Sequence, residues 1–254
     1  MKKIISYKLH ISYDGTDYHG WQYQEEVSAT IAGHLERAFR RTFHVPLSLV
    51  GSSRTDAGVH AYDQVARCIT ELDLPPQRMR ELWNRTLPSS IVIREVTLCP
   101  EGFHPQHNIL KKIYWYHVFF ERPLPFLARY GWYVNNPHLD KDKLEACLNM
   151  VVGTHDFRSF CTGPELVDTV RTVTGVSVEM LKKFHAYRIA IEGPSFLYKM
   201  VRRIVGSAVY VASHPTLSAA DYHAVFKALN PEHNLPTAPA NGLLLRKILY
   251  TNFR

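Results

Sequence analysis

Residues 51–61 read Gly-Ser-Ser-Arg-Thr-Asp-Ala-Gly-Val-His-Ala. Arg54, Asp56 and His60 stand there among residues small enough for a ligand to approach the backbone closely. Just after this stretch, Gln64 to Thr70 reads as a short strand. Well before it, Tyr7, Leu9, Ile11 and Tyr13 alternate with Lys8, His10 and Ser12, the pattern of a strand with one buried face, and Asp14-Gly15 then turns the chain. The loop is therefore framed by extended segments. If the loop is itself extended, Arg54 and Asp56 point the same way. A guanidinium keeps its charge, so it favours the carboxylate form of Asp56 and fixes its orientation. The plainer alternative is a surface ion pair of little consequence.

Further along, the spacing of Ile31, Leu35, Phe39 and Phe43 predicts a helix from Thr30 to Phe43, with Glu36, Arg37, Arg40 and Arg41 on its other face. Those arginines suit either phosphate or a solvated helix face. Pro75-Pro76 opens a second helix carrying Met79, Leu82, Trp83 and Leu87, and strands follow at Ile91 to Val96 and within Gly102 to Phe120. In the latter, Tyr114 and Tyr116 share one side. Asp140 reads as an N-cap, with Leu139 and Leu144 as a hydrophobic staple, for a helix stopped at Gly153. Strand-like runs cover Val170 to Val178 and Phe184 to Ile191. A helix then opens at Phe196 with Leu197, Val201, Ile204, Val205 and Ala208 inward, and Ser218 and Asp221 cap another. Without a regular βαβ rhythm or a glycine-rich nucleotide loop, the fold class is α+β rather than doubly wound. The proline- and arginine-rich segment Arg122 to Arg129 divides it into an N-terminal half, 1–121, carrying the Asp56 loop, and a C-terminal half, 130–254.

The chain has 254 residues, 46% hydrophobic and 21% charged, as expected for a globular enzyme with a sizeable core. A formal net charge of +7, with fourteen histidines in reserve, favours a polyanionic partner. Cys68, Cys99, Cys147 and Cys161 lack C-x-x-C spacing and read as free thiols in a reducing cytosol. The opening Met-Lys-Lys-Ile-Ile mimics a signal peptide, but Lys8, His10 and Asp14 interrupt any apolar core, and no stretch is long and apolar enough to span a bilayer. The expected location is cytoplasmic, with no membrane partner. His104-x-x-His107 lacks a third ligand at a recognisable spacing, which argues against a metal site.

The stretch from Arg54 to Ala61 resembles the signature of the TruA family of tRNA pseudouridine synthases, with Ser53 where that family has glycine. The resemblance continues in order through Tyr13-Asp14-Gly15-Thr16 and Tyr18-His19-Gly20-Trp21-Gln22, Phe103-His104, Lys112-x-Tyr114-x-Tyr116, and His155-Asp156-Phe157. It ends with Phe196 to Gly206 and Ala238-Pro239-Ala240-Asn241-Gly242-Leu243. Pro105 and Gln106 replace an Ala-Arg pair, and Lys111 or His107 is the candidate substitute for that arginine. The resemblance implies two α+β halves around one largely antiparallel sheet, forming one catalytic unit with a central cleft. It also implies a homodimer acting on tRNA, without metal or small-molecule cofactor, at uridines 38 to 40 of the anticodon stem-loop.

Converting uridine to pseudouridine breaks the N1–C1′ bond, turns the uracil and rejoins it through C5. A carboxylate serves as nucleophile or as the base that begins elimination, and an aromatic face holds the displaced base. Asp56 suits the first task and Tyr114 the second. Arg54 and Arg202 position and stabilise the carboxylate, Arg202 being an arginine beside an apolar helix stripe that wants an anionic partner such as Asp56. Lys112, His60 and Arg203 join Tyr114 as substrate-binding candidates. His155 and Asp156 are assigned to capping or packing. Two other readings stand beside the isomerase: a hydrolase using Asp56, which lacks an obvious second carboxylate, and a binding module without catalysis, which has no reason to keep Arg54, Asp56, Tyr114 and Arg202 together.

Overall fold

A computed structural model describes residues 3–24, 29–136, 139–163 and 167–251, so Met1 and Lys2 of the signal-like opening lie outside the described residues. In chain order the first elements are β1 (Ile5–Tyr13), α1 (Ile31–Phe43), β2 (Leu47–Gly51), β3 (His60–Thr70), α2 (Pro76–Asn84), β4 (Ile91–Leu98) and β5 (Ile109–Phe119). They are followed by β6 (Trp132–Tyr133), α3 (Lys141–Asn149), β7 (Gly153–Asp156), β8 (Val170–Val173), β9 (Gly175–Leu181), β10 (Ala186–Gly193), α4 (Met200–Ala212), α5 (Ala219–Lys227) and β11 (Leu243–Tyr250). The chain forms two compact units, residues 1–110 with 244–254, and residues 111–243. The division falls within β5 and at the start of β11, whereas the sequence placed it in the loop from Arg122 to Arg129. Strand content rather than loop composition sets it, because β11 returns the last residues to the first unit.

In the first unit β1 pairs antiparallel with both β3 and β4, β2 pairs antiparallel with β3, and β11 joins β3 in parallel through Leu244 and Leu245. Every second residue of β1 from Ile5 to Tyr13 is buried, as the alternation predicts. α1 begins where Thr30 Oγ1 accepts the Gly33 amide at 3.2 Å and ends at a left-handed His44, its last turn carrying Arg40 and Arg41. Leu35 and Phe39 face inward against Trp83 of α2, whose indole donates to the Leu35 carbonyl at 3.1 Å. Burial of each such side chain stabilises by about 1.5–3 kcal/mol. Leu87, expected on the α2 stripe, lies beyond the helix end at Asn84.

In the second unit β10 pairs antiparallel with β5 and β9, β6 adds to β5 in parallel, and β7 pairs antiparallel with β8. Pairing is thus mostly antiparallel in an α+β chain, in agreement with the sequence. Asp140 caps α3 by accepting from the Lys143 amide at 3.0 Å, and Ser218 and Asp221 form a reciprocal capping box on α5. α3 stops at Asn149, so Gly153 opens β7 instead of ending the helix. The run from Val170 to Val178 divides into β8 and β9 at Thr174. α4 starts at Met200, four residues later than predicted, because Lys199 adopts a left-handed conformation (φ 59°) that a continuous helix excludes. Cys68, Cys99, Cys147 and Cys161 are free thiols.

Candidate active site

The loop between β2 and β3 is held by its backbone. The Trp21 amide donates to the Thr55 carbonyl (3.1 Å), the Gly58 amide to the Tyr18 carbonyl (3.1 Å) and the Val59 amide to the Asp56 carbonyl (3.1 Å). The Tyr13 hydroxyl meets Thr55 Oγ1 at 2.7 Å. Gly20 explains why Tyr-His-Gly-Trp precedes this loop in the chain: its φ is +87°, and a Cβ there would stand 2.6 Å from the Thr55 carbonyl oxygen. Only glycine lets these two backbones approach so closely. Gly51 is similarly fixed by the Trp21 ring, which a Cβ would meet at 2.4 Å.

This cradle leaves Asp56 half-buried and Arg54 exposed. The expected Arg54–Asp56 clamp is not formed, since Arg54 has no ion pair or hydrogen bond among the described residues. The reason is local: the Asp56 carbonyl bends back to Val59 and Thr55 is tied to Trp21, so the loop does not run as a regular strand with both side chains on one face. Ser53, standing where glycine was expected, does not have a positive φ. The Ser53 amide donates to Gln64 Oε1 at 3.2 Å, and Gln64 Nε2 donates to the Ser53 carbonyl at 2.6 Å. Gln64 is fully buried, and nothing in its strand pattern distinguished it from a core position.

His60 is 4% exposed, with Nδ1 3.0 Å from the Gly15 amide and 3.1 Å from Asp14 Oδ1. The ring therefore fastens the start of β3 to the turn after β1. Gln106 donates to the Gly51 carbonyl at 3.0 Å, tying a second turn to the loop. Lys111, a candidate substitute for the missing arginine, is instead paired with Glu192 at 2.6 Å in the second unit.

In that second unit Tyr114 and Tyr116 lie on the buried side of β5, as the alternation indicated. Tyr114 is 8% exposed and meets Phe196 edge-on, with centroids 5.3 Å apart at 88°. The Tyr116 hydroxyl donates to the Pro239 carbonyl at 2.8 Å, and Gly242 packs so closely that a Cβ would lie 2.4 Å from its ring. Burial pushes the Tyr116 phenol up, leaving it a neutral structural donor. Lys112, half-buried one position before Ile113 and paired in register with Gly193, has its ammonium pushed down to about 8 by burial.

Arg202 is half-buried on α4, where its Nε donates to the Ala238 carbonyl at 2.8 Å while the Ala238 amide donates to the Arg202 carbonyl at 3.0 Å. Gly206 lets the same segment cross the helix, since a Cβ would lie 2.3 Å from the Pro236 carbonyl oxygen. Arg203, a substrate-binding candidate by sequence, is only 7% exposed and donates to the Pro231 carbonyl at 2.5 Å beside His233 at 2.8 Å. Periodicity could not show which of the two adjacent arginines turns inward. His155 and Asp156 hold local structure: Asp156 Oδ1 accepts from the Arg158 amide at 2.9 Å and from Thr169 Oγ1 at 2.5 Å, and His155 packs on Phe226. The His104 and His107 rings stack at 4.2 Å, and no cluster of metal-ligating side chains occurs among the described residues.

A family profile described as tRNA pseudouridine synthase matches residues 10–108 and 148–251. Proteins named tRNA pseudouridine synthase A are similar over nearly the whole chain. That of Brevibacillus brevis is 37% identical, covering 94% of this chain and 97% of its own, and that of Acetivibrio thermocellus is 36% identical, covering 96% and 98%. The Thermoanaerobacter sp. protein is 34% identical over 94% and 97%. With the Asp56 loop packed against the Gly20 backbone and the Trp21 ring, and a profile spanning most of both compact units, the chain belongs to the tRNA pseudouridine synthase family.

Proposed function

We propose that this protein isomerises uridine to pseudouridine in the anticodon stem-loop of tRNA, at positions 38, 39 and 40. The observation that carries the reading is Asp56 itself: a half-buried carboxylate in a loop held by Trp21, Tyr18 and Gln64, within the signature of a family that carries out this isomerisation. Asp56 acts as nucleophile at C1′ or as the base that begins elimination. The N1–C1′ bond breaks, C5 bonds to C1′, the hydrogen displaced from C5 leaves as a proton, and N1 takes up a proton in its place. The number of electrons is unchanged, so the isomerisation calls on no redox partner and the protein acts without cofactor.

Tyr114 stacks on the uracil, and its hydroxyl assists removal of the C5 proton. Arg54, exposed and without a protein partner among the described residues, is available to RNA phosphate, while Arg202 stabilises the reacting carboxylate. Lys112 adds a further cationic contact to RNA. His60 and Arg203 hold local structure, one fixing the turn after β1 and the other joining α4 to the Pro231 carbonyl. The enzyme works as a cytoplasmic homodimer around tRNA. Mapping pseudouridine in tRNA from cells with and without this protein tests the target: loss confined to positions 38–40 is expected, and an unchanged map would refute it.

A further inference from the structure

Lys8 of β1 and Arg67 of β3 are register partners across the antiparallel pair, on the side of the sheet opposite the buried Tyr7, Leu9 and Ala66. Like charges placed directly opposite each other cost stability. A carboxylate would relieve that cost, yet neither cation forms an ion pair among the described residues. Lys8 Nζ lies 5.3 Å from the ring centroids of Phe103 and of Tyr250. Arg67 Nη1 donates to the Phe103 carbonyl at 3.0 Å, while its buried Nε has no hydrogen-bond partner.

The same turn carries His104, half-buried, and His107, exposed, with rings stacked at 4.2 Å and 29°. Between them Gln106 reaches the Gly51 carbonyl, so the cluster sits beside the first residue of the Asp56 loop. Burial, then the charges of His107 and Arg67, push the His104 imidazole below its usual value. Burial lifts the Cys99 thiol to about 11 and the Tyr250 phenol to about 12, so both stay neutral at neutral pH, and Glu101 of the preceding turn is exposed. Asp63, which acts on Tyr250, is already engaged by His10 at 2.8 Å and Arg94 at 3.5 Å.

We propose that Lys8, Arg67, His104 and His107 form a phosphodiester-binding site that holds the RNA backbone beside the Asp56 loop. This rests on the reading of tRNA as substrate. A phosphate supplies an acceptor for the Lys8 ammonium, for His107 and for Nε2 of His104, whose Nδ1 already accepts from the Gln106 amide at 3.3 Å, and it offsets the like-charge cost between Lys8 and Arg67. An anion favours the charged form of an imidazole that it contacts, so binding is tightest at acid pH and weakens as pH rises through the imidazole range.

Binding of an unmodified tRNA transcript to the full-length protein, measured across salt at pH 5.5 and pH 8, tests the site. Lys8→Gln should weaken binding about tenfold, as for loss of a hydrogen bond to a charged group. It should lower the slope of log affinity against log salt by about 0.7–0.9 and at the same time raise the melting temperature. His107→Gln, in an exposed turn, should bind less tightly at pH 5.5 and lose part of the wild-type tightening between pH 8 and pH 5.5. Unchanged affinity, salt slope and pH dependence in both folded variants would overturn the site. Tritium release from uracil C5 is read separately, so absence of isomerase activity would be visible without altering the outcome of the binding measurement.

Discussion

Gln64 clamps Ser53 at both ends of its peptide backbone, accepting from the amide at 3.2 Å and donating to the carbonyl at 2.6 Å, three residues before Asp56. A strand residue thereby does for the loop what a further strand pairing cannot, because the chain leaves β2 at Gly51. Gln64→Leu removes both hydrogen bonds inside a fully buried site. Each orphaned backbone group costs about 1–3 kcal/mol, so the denaturant midpoint should fall clearly. The catalytic rate should fall further than the melting temperature alone accounts for, and full activity in a stably folded variant would show that the clamp does not position Asp56.

Gly20→Ala places a methyl group 2.6 Å from the Thr55 carbonyl oxygen at a φ of +87°. Left-handed backbone alone costs about 1–2 kcal/mol for a side-chain-bearing residue, and the clash adds to it. Loss of stability with displaced loop resonances in NMR spectra is expected; an unperturbed melting temperature would contradict the close approach.

Lys112 gives a pH-dependent prediction. Its ammonium titrates near 8 in the folded chain against 10.5 in the unfolded one, because burial disfavours the charge. Between those values the unfolded state binds more protons, so this group's contribution to stability rises with pH; below 8 the penalty is fully present. Lys112→Met should therefore raise the melting temperature more at pH 7 than at pH 10, while weakening tRNA binding. An equal change at the two pH values would show that burial does not perturb this lysine.

Asp56→Asn should leave tRNA affinity nearly intact and abolish turnover, since an amide matches a carboxylate in size but not as nucleophile or base. Tyr114→Phe keeps the stacking face and loses the hydroxyl, so single-turnover rate should fall more than affinity. A tyrosine variant that loses affinity at unchanged single-turnover rate would assign Tyr114 to binding alone.

Much of this architecture is legible in the sequence where one physical signal dominates. β1 shows its alternation and α1 its four-residue apolar spacing, and both elements form as read, except that Thr30 caps α1 instead of starting it. Signals fail where tertiary structure overrides a local pattern. The apolar spacing from Leu197 to Val201 continues through Lys199, whose left-handed backbone delays α4 to Met200. Arg202 and Arg203 are indistinguishable by type, yet one is half-buried and the other is folded against Pro231 and His233. The Asp56 loop announces its chemistry through residue types. The devices that hold it, Gln64 and the Gly20–Thr55 approach, join segments distant in sequence and carry no local mark.

Isomerisation of uridine through Asp56 stands or falls on the fate of the hydrogen at uracil C5. Purified protein, in chelator and without nucleotide or redox cofactor, is to be given tRNA labelled with tritium at that carbon. Release of label to water from tRNA that stays intact is expected with the wild-type protein, and none with Asp56→Asn. Free uracil, a cleaved strand, or label retained by wild-type protein that binds the tRNA would contradict this role for Asp56.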